Sequence, residues 1–181
     1  TDGVAVLNQD DPLVMGMVNR TQADVVTYGL DAQATVWASH VHGLGLSGMR
    51  FCVHHRQDTL TVSVPMLGRQ SVHTALRAAA VGLVEGLTWQ EIVEGLQERK
   101  TRSQLRLYAV SGPDGSILVD DTYNASPESS IAALNLLDEL DARRRIAVLG
   151  DMLELGPYED QGHRAVGVRA GDVADVLVTV G

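Results

Sequence analysis

The stretch Ile117–Pro127, with the sequence ILVDDTYNASP, decides the fold of the second half of this chain. The apolar run at its start predicts a buried strand over Ile117–Val119. At its end, Ser126 followed by Pro127 is the pattern of a helix N-cap with proline at the first helical position. A strand that passes through a short polar turn into a helix is typical of α/β domains.

The segments around this stretch alternate between apolar runs and helical spacing. We expect strands at Leu105–Val110, Arg145–Leu149 and Val173–Val180, and helices from Pro127 to about Leu140 and over Tyr158–Ala170. The sequence GPDG at residues 112–115 predicts a tight turn between the first two strands. This order of elements predicts an α/β domain with a mostly parallel sheet. Because only two helices follow residue 102, we expect that domain to be unfinished.

The sequence of the first half of the chain predicts a mixed sheet with two helices. Strands are expected at Val4–Leu7, Asp24–Tyr28, Thr35–His42, Met49–His55 and Leu60–Pro65. The first two, with a short helix over Pro12–Arg20 between them, predict a parallel unit, and the last three predict an antiparallel meander. Apolar residues at helical spacing predict a helix over Ser71–Glu85. Thr88 and Glu91 form a capping box that opens another helix to about Glu98.

The basic, polar segment Arg99–Ser103 is the expected linker between two domains, residues 1–101 and 102–181. The net charge of −9 argues against nucleic acid or an anionic membrane as the main partner. No apolar stretch reaches the length of a membrane span. Cys52, the only cysteine, lies in an apolar run, which favours a small core residue over a nucleophile.

Three expected strands end in polar segments, at Asn8–Asp11, Asp120–Asn124 and Gly150–Glu154. Ligands of open parallel sheets bind beyond the carboxyl ends of the strands. Two interpretations of Asp120 and Asp121 stay open. The pair either binds ribose hydroxyls or Mg²⁺-bound water, or it is part of a strand-to-helix turn rich in caps.

Arginine and histidine residues give weaker signals. Arg106 is either a clamp for a phosphate or carboxylate or part of a solvated strand face. His40 and His42 are two residues apart, which predicts that they share one strand face, whereas His54 and His55 point to opposite faces. No group of residues has the spacing of a zinc site, so these histidines are expected to be structural or solvated.

Two motifs together resemble one family of enzymes. DDTYNASP, at residues 120–127, and VLGDMLELG, at residues 148–156, with His163 after it, are similar to motifs of the Mur ligases. Within that family they are most similar to the member that adds D-alanyl-D-alanine. Supporting similarity comes from LNQDDP at 7–12, VVTYGL at 25–30 and GRQSVHTALRAAAVGL at 68–83.

The resemblance implies both a fold and an activity. Residues 1–101 would be the remainder of a P-loop-type central domain that binds ATP, with a parallel sheet plus antiparallel strands, and residues 102–181 a partial Rossmann-like C-terminal domain. The expected activity is ATP-dependent amide formation between UDP-MurNAc-tripeptide and D-Ala-D-Ala through an acyl-phosphate, with Mg²⁺. A cytoplasmic monomer without nucleic-acid or membrane partners is implied.

The resemblance also implies roles on the ATP side. Arg106 corresponds to an arginine that reaches the phosphates, and Asp121 to an aspartate on the ribose. Asn8 and Thr74 are expected to contact ATP as well. Thr74 stands where the family usually has an asparagine, and Gln70-Ser71 where it often has His-Asn, so the adenine contacts differ from the family's pattern.

Other residues are implied around the reaction and the dipeptide. Tyr123 and Asn124 are expected near the reaction centre, with Arg106 and Asp121. Asp151, Glu154 and His163 are expected on the dipeptide side. No protein ligand for a metal is expected in this chain.

The sequence contains no G-x-x-x-x-G-K-[ST] loop, and its single lysine, Lys100, has no such loop before it. We therefore expect these 181 residues alone to turn over nothing. Two alternatives are a non-catalytic homologue that binds a nucleotide or a partner, and another ligase of the same superfamily.

Overall fold

The computed structural model describes residues 3–98 and 107–181. The chain divides into two compact units, Thr1–Arg99 and Lys100–Gly181, which we describe separately. The predicted linker Arg99–Ser103 and the predicted domain boundary lie outside the described residues. Within those residues, no helix is both long and apolar enough to cross a bilayer.

The first unit is built on a five-stranded sheet whose strands follow one another in chain order. The strands are β1 (Val4–Asn8), β2 (Asp24–Gly29), β3 (Val36–Gly43), β4 (Met49–His55) and β5 (Asp58–Val64). β1, β2 and β3 run parallel, and β3, β4 and β5 run antiparallel. This sheet confirms the predicted parallel sheet with an antiparallel meander attached.

Two helices, α2 (Gln70–Val84) and α3 (Trp89–Gln97), complete the core of this unit. The largest fully buried side chains are Phe51, Met49 and Leu76. α3 begins with the predicted capping box, in which the Thr88 hydroxyl and the Glu91 carboxylate each accept a hydrogen bond from the other's backbone N–H. These caps satisfy amide groups that the helix itself leaves unpaired.

Two predictions about the first unit are wrong. The expected helix over Pro12–Arg20 is interrupted: α1 (Pro12–Met15) ends at Gly16, and a separate 3-10 turn covers Val18–Arg20. Glycine has a low helix propensity, and Asp11 caps only the first turn. His40 and His42 do not share a regular strand face, because a register shift between Ser39 and His42 places His40 at φ +50°.

The second unit contains two separate pairs of strands. β6 (Tyr108–Ser111) and β7 (Ile117–Asp120) form an antiparallel hairpin, because the GPDG turn folds the chain straight back. β8 (Ile146–Gly150) and β9 (Val176–Val180) are parallel. The hairpin is not hydrogen-bonded to the parallel pair among residues 107–181, so the predicted mostly parallel sheet is limited there to β8 and β9.

Helices α4 (Pro127–Glu139) and α5 (Glu159–Val173) pack with one face of the β8–β9 pair. Their shared core contains Leu134, Ala147, Met152, Val166 and Ala170. Residues that alternate with Ala147 point the other way: Ile146 is 51% exposed and Val148 is 65% exposed. Val178 and Val180 on β9 are also exposed. We call Ile146, Val148, Val178 and Val180 the exposed apolar face.

Candidate functional site

Asp10 joins three elements at the carboxyl end of the parallel strands in the first unit. Its carboxylate accepts hydrogen bonds from the Leu30 N–H at 2.7 Å, the Asp31 N–H at 3.2 Å and His73 Nε2 at 2.7 Å. Partial burial by itself would raise the pKa of Asp10. The hydrogen bonds from Leu30, His73 and Asp31, together with the charge of His73, outweigh burial and lower that pKa.

The turn after β1 leaves little freedom around Asp10. A Cβ on Gly29 would lie 2.7 Å from the Asp10 carboxylate, so this close approach requires glycine. Asn8, a predicted ATP contact, uses its side-chain oxygen to accept the Asp10 N–H at 3.1 Å. The Asn8 amide nitrogen is the group through which this side chain could reach a ligand.

The predicted adenine-side residues at the start of α2 differ in exposure and in hydrogen bonding. Thr74 is exposed on the helix surface, directly after the His73 that binds Asp10. Ser71 is buried, and its hydroxyl donates to the Gly68 carbonyl at 2.7 Å. Gln70 donates to the Leu67 carbonyl at 3.4 Å. Ser71 and Gln70 therefore stabilise the loop before α2, and Thr74 is the side chain open to a ligand.

In the second unit, the two aspartates after β7 make different contacts. Asp120 accepts hydrogen bonds from Thr122, at 3.0 Å from its N–H and 2.7 Å from its hydroxyl, and so it shapes the turn. Asp121 accepts the Leu107 N–H at 3.1 Å and thereby ties this turn to the residue before β6. Tyr123 is 64% exposed, and Asn124 is exposed beside it.

Ser126 caps α4 as predicted, since its hydroxyl accepts the Ser129 N–H at 3.3 Å. Among the described residues, no group of three His, Cys, Asp or Glu side chains could hold a metal ion. The predicted phosphate-binding Arg106 lies outside the described residues.

The segment after β8 places two carboxylates at the surface. Asp151 and Glu154 are exposed, and Glu154 has φ +63°, a conformation uncommon for a non-glycine residue. Between them, Met152 is only 3% exposed. Its N–H donates to His163 Nε2 at 3.2 Å, and His163 Nδ1 donates to the Glu159 carbonyl at 2.9 Å.

The two polar segments of the second unit are neighbours. A Cβ on Gly162 of α5 would lie 2.7 Å from Pro127 Cγ and 3.1 Å from Leu155 Cδ1. The Ser130 hydroxyl also donates to Met152 Sδ at 3.8 Å. The motif that opens α4 and the motif that precedes α5 therefore lie side by side, and the absence of a side chain at Gly162 permits this close approach.

Sequence reasoning missed several of these contacts. Gly162 lies in a helix and carries no motif of its own, and His73 contacts a residue 63 positions away. His54 supports the sheet: it stacks on Trp37 with ring centroids 3.8 Å apart and contacts the Ser39 hydroxyl at 2.7 Å. Burial, and then the charge of His40, lowers the pKa of His54.

Comparisons with known proteins connect this geometry to one family. The family model of the Mur ligase middle domain matches residues 1–82, and that of the Mur ligase glutamate ligase domain matches residues 105–181. The UDP-N-acetylmuramoyl-tripeptide--D-alanyl-D-alanine ligase of Mycobacterium tuberculosis is 35% identical over 170 residues, which are 91% of this chain. The chain spans 33% of that relative's length.

Two solved structures share the fold over nearly the whole chain. MurF from Acinetobacter baumannii has a TM-score of 0.89 and 28% identity, with coverage of 99% of this chain and 39% of that one. MurF ligase from Thermotoga maritima, solved in complex with ADP, has a TM-score of 0.80 and 25% identity, with coverage of 98% and 40%. Matches of both family models to successive parts of the chain lead to one conclusion: the chain belongs to the Mur ligase family.

Proposed function

We propose that the protein carrying this chain joins D-alanyl-D-alanine to UDP-MurNAc-tripeptide in the synthesis of peptidoglycan precursors. The observation that carries this proposal is the side-by-side placement of DDTYNASP and VLGDMLELG in the second unit, where Gly162 leaves room for Pro127 and Leu155 to lie against α5. The ligases named above, which share both domains, support it. The proposal includes ATP as co-substrate, a monomeric state and a location in the cytoplasm, where nucleotide-linked precursors and ATP occur together.

The proposed chemistry has two steps. The tripeptide's terminal carboxylate attacks the γ-phosphorus of ATP, the bond to the leaving oxygen breaks, and ADP departs. The dipeptide's amine then attacks the acyl carbon, phosphate leaves with the electrons of the carbon–oxygen bond, and the nitrogen loses a proton. Mg²⁺ would neutralise phosphate charge.

In this proposal the first unit contributes to ATP binding through Asn8 and Thr74. Thr74 can donate one hydrogen bond and accept another. Asp121 would accept hydrogen bonds from the ribose hydroxyls, as the family resemblance implies. Arg106 would neutralise phosphate charge.

The dipeptide side of the proposed site uses the exposed carboxylates of the second unit. Asp151 and Glu154 would attract the ammonium group with which D-Ala-D-Ala enters. Tyr123 and Asn124 would donate hydrogen bonds to the reacting carbonyl and phosphate oxygens. His163 contacts the backbone of Met152, which lies between Asp151 and Glu154 in the sequence.

The test is an assay of the whole protein with ATP, UDP-MurNAc-tripeptide and one amine at a time. Phosphate release and a product mass equal to tripeptide plus dipeptide are expected with D-Ala-D-Ala, and neither with D-glutamate or a diamino acid. Turnover with another amine would identify a different ligase of the family, and nucleotide binding without turnover would indicate a non-catalytic homologue.

A matched pair of variants probes the carboxylates. Asp151→Asn should raise KM for D-Ala-D-Ala about tenfold while leaving KM for ATP within about twofold, because one charge that attracts the amine is lost. Asp172→Asn, an exposed carboxylate near the far end of α5, is the control. Equal effects of the two variants on KM for the dipeptide would reject the assigned role of Asp151.

A further inference from the structure

His163 connects α5 to the segment Gly150–Gly156, which we call the carboxylate loop because it carries Asp151 and Glu154. Both of its ring nitrogens are engaged by backbone groups. Nε2 lies 3.2 Å from the Met152 nitrogen inside the loop, and Nδ1 lies 2.9 Å from the Glu159 carbonyl, one turn earlier in its own helix.

These two partners determine where the ring proton lies. A backbone N–H only donates, so Nε2 must carry a lone pair, and a carbonyl only accepts, so Nδ1 must carry the proton. The neutral Nδ1–H form satisfies both contacts at once. No ring nitrogen is left to donate to, or accept from, the proposed dipeptide.

The Met152 contact matters because that residue anchors the loop. Its side chain is buried in the core of the second unit and accepts the Ser130 hydroxyl at 3.8 Å. The neighbouring side chains, Asp151 and Leu153, are exposed, and Glu154 has φ +63°. Only Met152 and Leu155 of this loop pack against the core, and its other residues are exposed. Hydrogen bonds to the loop backbone therefore contribute to holding its shape.

We propose that His163 is a positioning residue: its Nε2 fixes the carboxylate loop, and the loop presents Asp151 and Glu154 to the amine substrate. This inference rests on the proposed function for the identity of the amine. The effect of His163 on the shape of the loop is independent of the proposed function, because it follows from the two hydrogen bonds.

Two near-isosteric variants separate the two contacts. The side-chain oxygen of glutamine reaches roughly where Nε2 lies, so His163→Gln keeps an acceptor for the Met152 N–H. The side-chain amide of asparagine reaches roughly where Nδ1 lies, so His163→Asn keeps the donor to Glu159 and loses the acceptor. Arg164→Gln is the control, because that side chain is 80% exposed and its 3.7 Å ion pair with Asp160 contributes little.

The experiment measures amide hydrogen exchange over residues 150–156 and steady-state kinetics in the whole protein. In His163→Asn, exchange of this segment should accelerate about tenfold, as expected for loss of one hydrogen bond to a buried amide. KM for D-Ala-D-Ala should rise about tenfold while KM for ATP stays within about twofold. His163→Gln should recover most of both losses, and Arg164→Gln should match the wild type.

Three results would overturn the proposal. The first is slow, wild-type exchange of residues 150–156 in His163→Asn. The second is a raised KM for the dipeptide without faster exchange, which would make His163 a direct ligand of the substrate. The third is a ¹⁵N spectrum of His163 with the proton on Nε2. If instead the wild type lacks ligase activity but the exchange pattern is as expected, the proposed function fails and the role in fixing the loop stands.

Discussion

Replacement of Gly162 by alanine tests whether α5 and the two motifs are held as closely as the structure shows. The added methyl group would lie 2.7 Å from Pro127 Cγ and 3.1 Å from Leu155 Cδ1. Because the proline ring cannot rotate away, α5 must shift relative to the start of α4. The same helix contains Gly167 and Gly171, where an added Cβ would have no neighbour within 4 Å.

Two opposing contributions determine how each glycine-to-alanine substitution changes the free energy of unfolding. Alanine in place of glycine favours a helix by about 1 kcal/mol. Overpacking in a close contact costs about 1–3 kcal/mol. Gly167→Ala and Gly171→Ala gain helix propensity without any overpacking, so they should stabilise the second unit. The difference between Gly162→Ala and Gly167→Ala cancels the gain in helix propensity and should equal the packing cost, about 1–3 kcal/mol.

The assay is urea unfolding of the 181-residue chain followed by two probes. Both tryptophans, Trp37 and Trp89, lie in the first unit, so their fluorescence reports that unit alone. Hydrogen exchange of residues 159–173 reports α5. Gly162→Ala should accelerate exchange in α5 relative to Gly167→Ala and leave the tryptophan midpoint unchanged. Equal stabilisation of α5 by Gly162→Ala and Gly167→Ala would refute the close contact.

Three further predictions concern the first unit, and tryptophan fluorescence during unfolding measures all of them. Asp10→Asn should cost about 1–2 kcal/mol, because the carboxylate accepts three hydrogen bonds. Since the folded state lowers the pKa of Asp10, its contribution should be complete above about pH 5 and decline as pH falls below about 4, and the variant should lack this decline. Gly48→Ala should cost about 3 kcal/mol or more, because φ is +109° and a Cβ would overlap the Val64 carbonyl, whereas Gly45→Ala, with open space around it, should cost less. Thr88→Ala should cost about 1 kcal/mol through loss of the capping box, and Thr74→Ala, at an exposed position of α2 where alanine is the better helix former, should cost less. A pH profile of Asp10→Asn parallel to the wild type, or equal costs within either matched pair, would contradict the corresponding explanation.

Local patterns predicted the elements well, because each depends on neighbours in sequence. The Ser126-Pro127 start of α4 and the Thr88–Glu91 capping box are complete within four residues, and the structure has both. The parallel-to-antiparallel order of the first sheet followed from turn lengths. The prediction that side chains alternate between the two faces of β3 is wrong at His40, because a bulge adds a residue and ends the period of two there.

The site was harder to predict, since its contacts connect distant residues. Asp10 binds backbone groups 20 and 21 positions away and a side chain 63 positions away. The motif identified His163, but its two backbone partners became visible only in three dimensions. Gly162 has no chemical signal in the sequence, because its importance is the absence of a side chain where α5 meets Pro127.

The exposed apolar face is expected to make this chain self-associate as its concentration rises. Four apolar side chains lie together on one side of a two-stranded parallel pair, with Val148 at 65% exposure and Val180 at 62%. Contiguous apolar surface of this kind promotes self-association. Light scattering of the 181-residue chain should therefore rise with concentration, despite a net charge of −9. A lysine at Val148 should suppress that rise, which makes solubility rather than folding the first obstacle to handling this polypeptide.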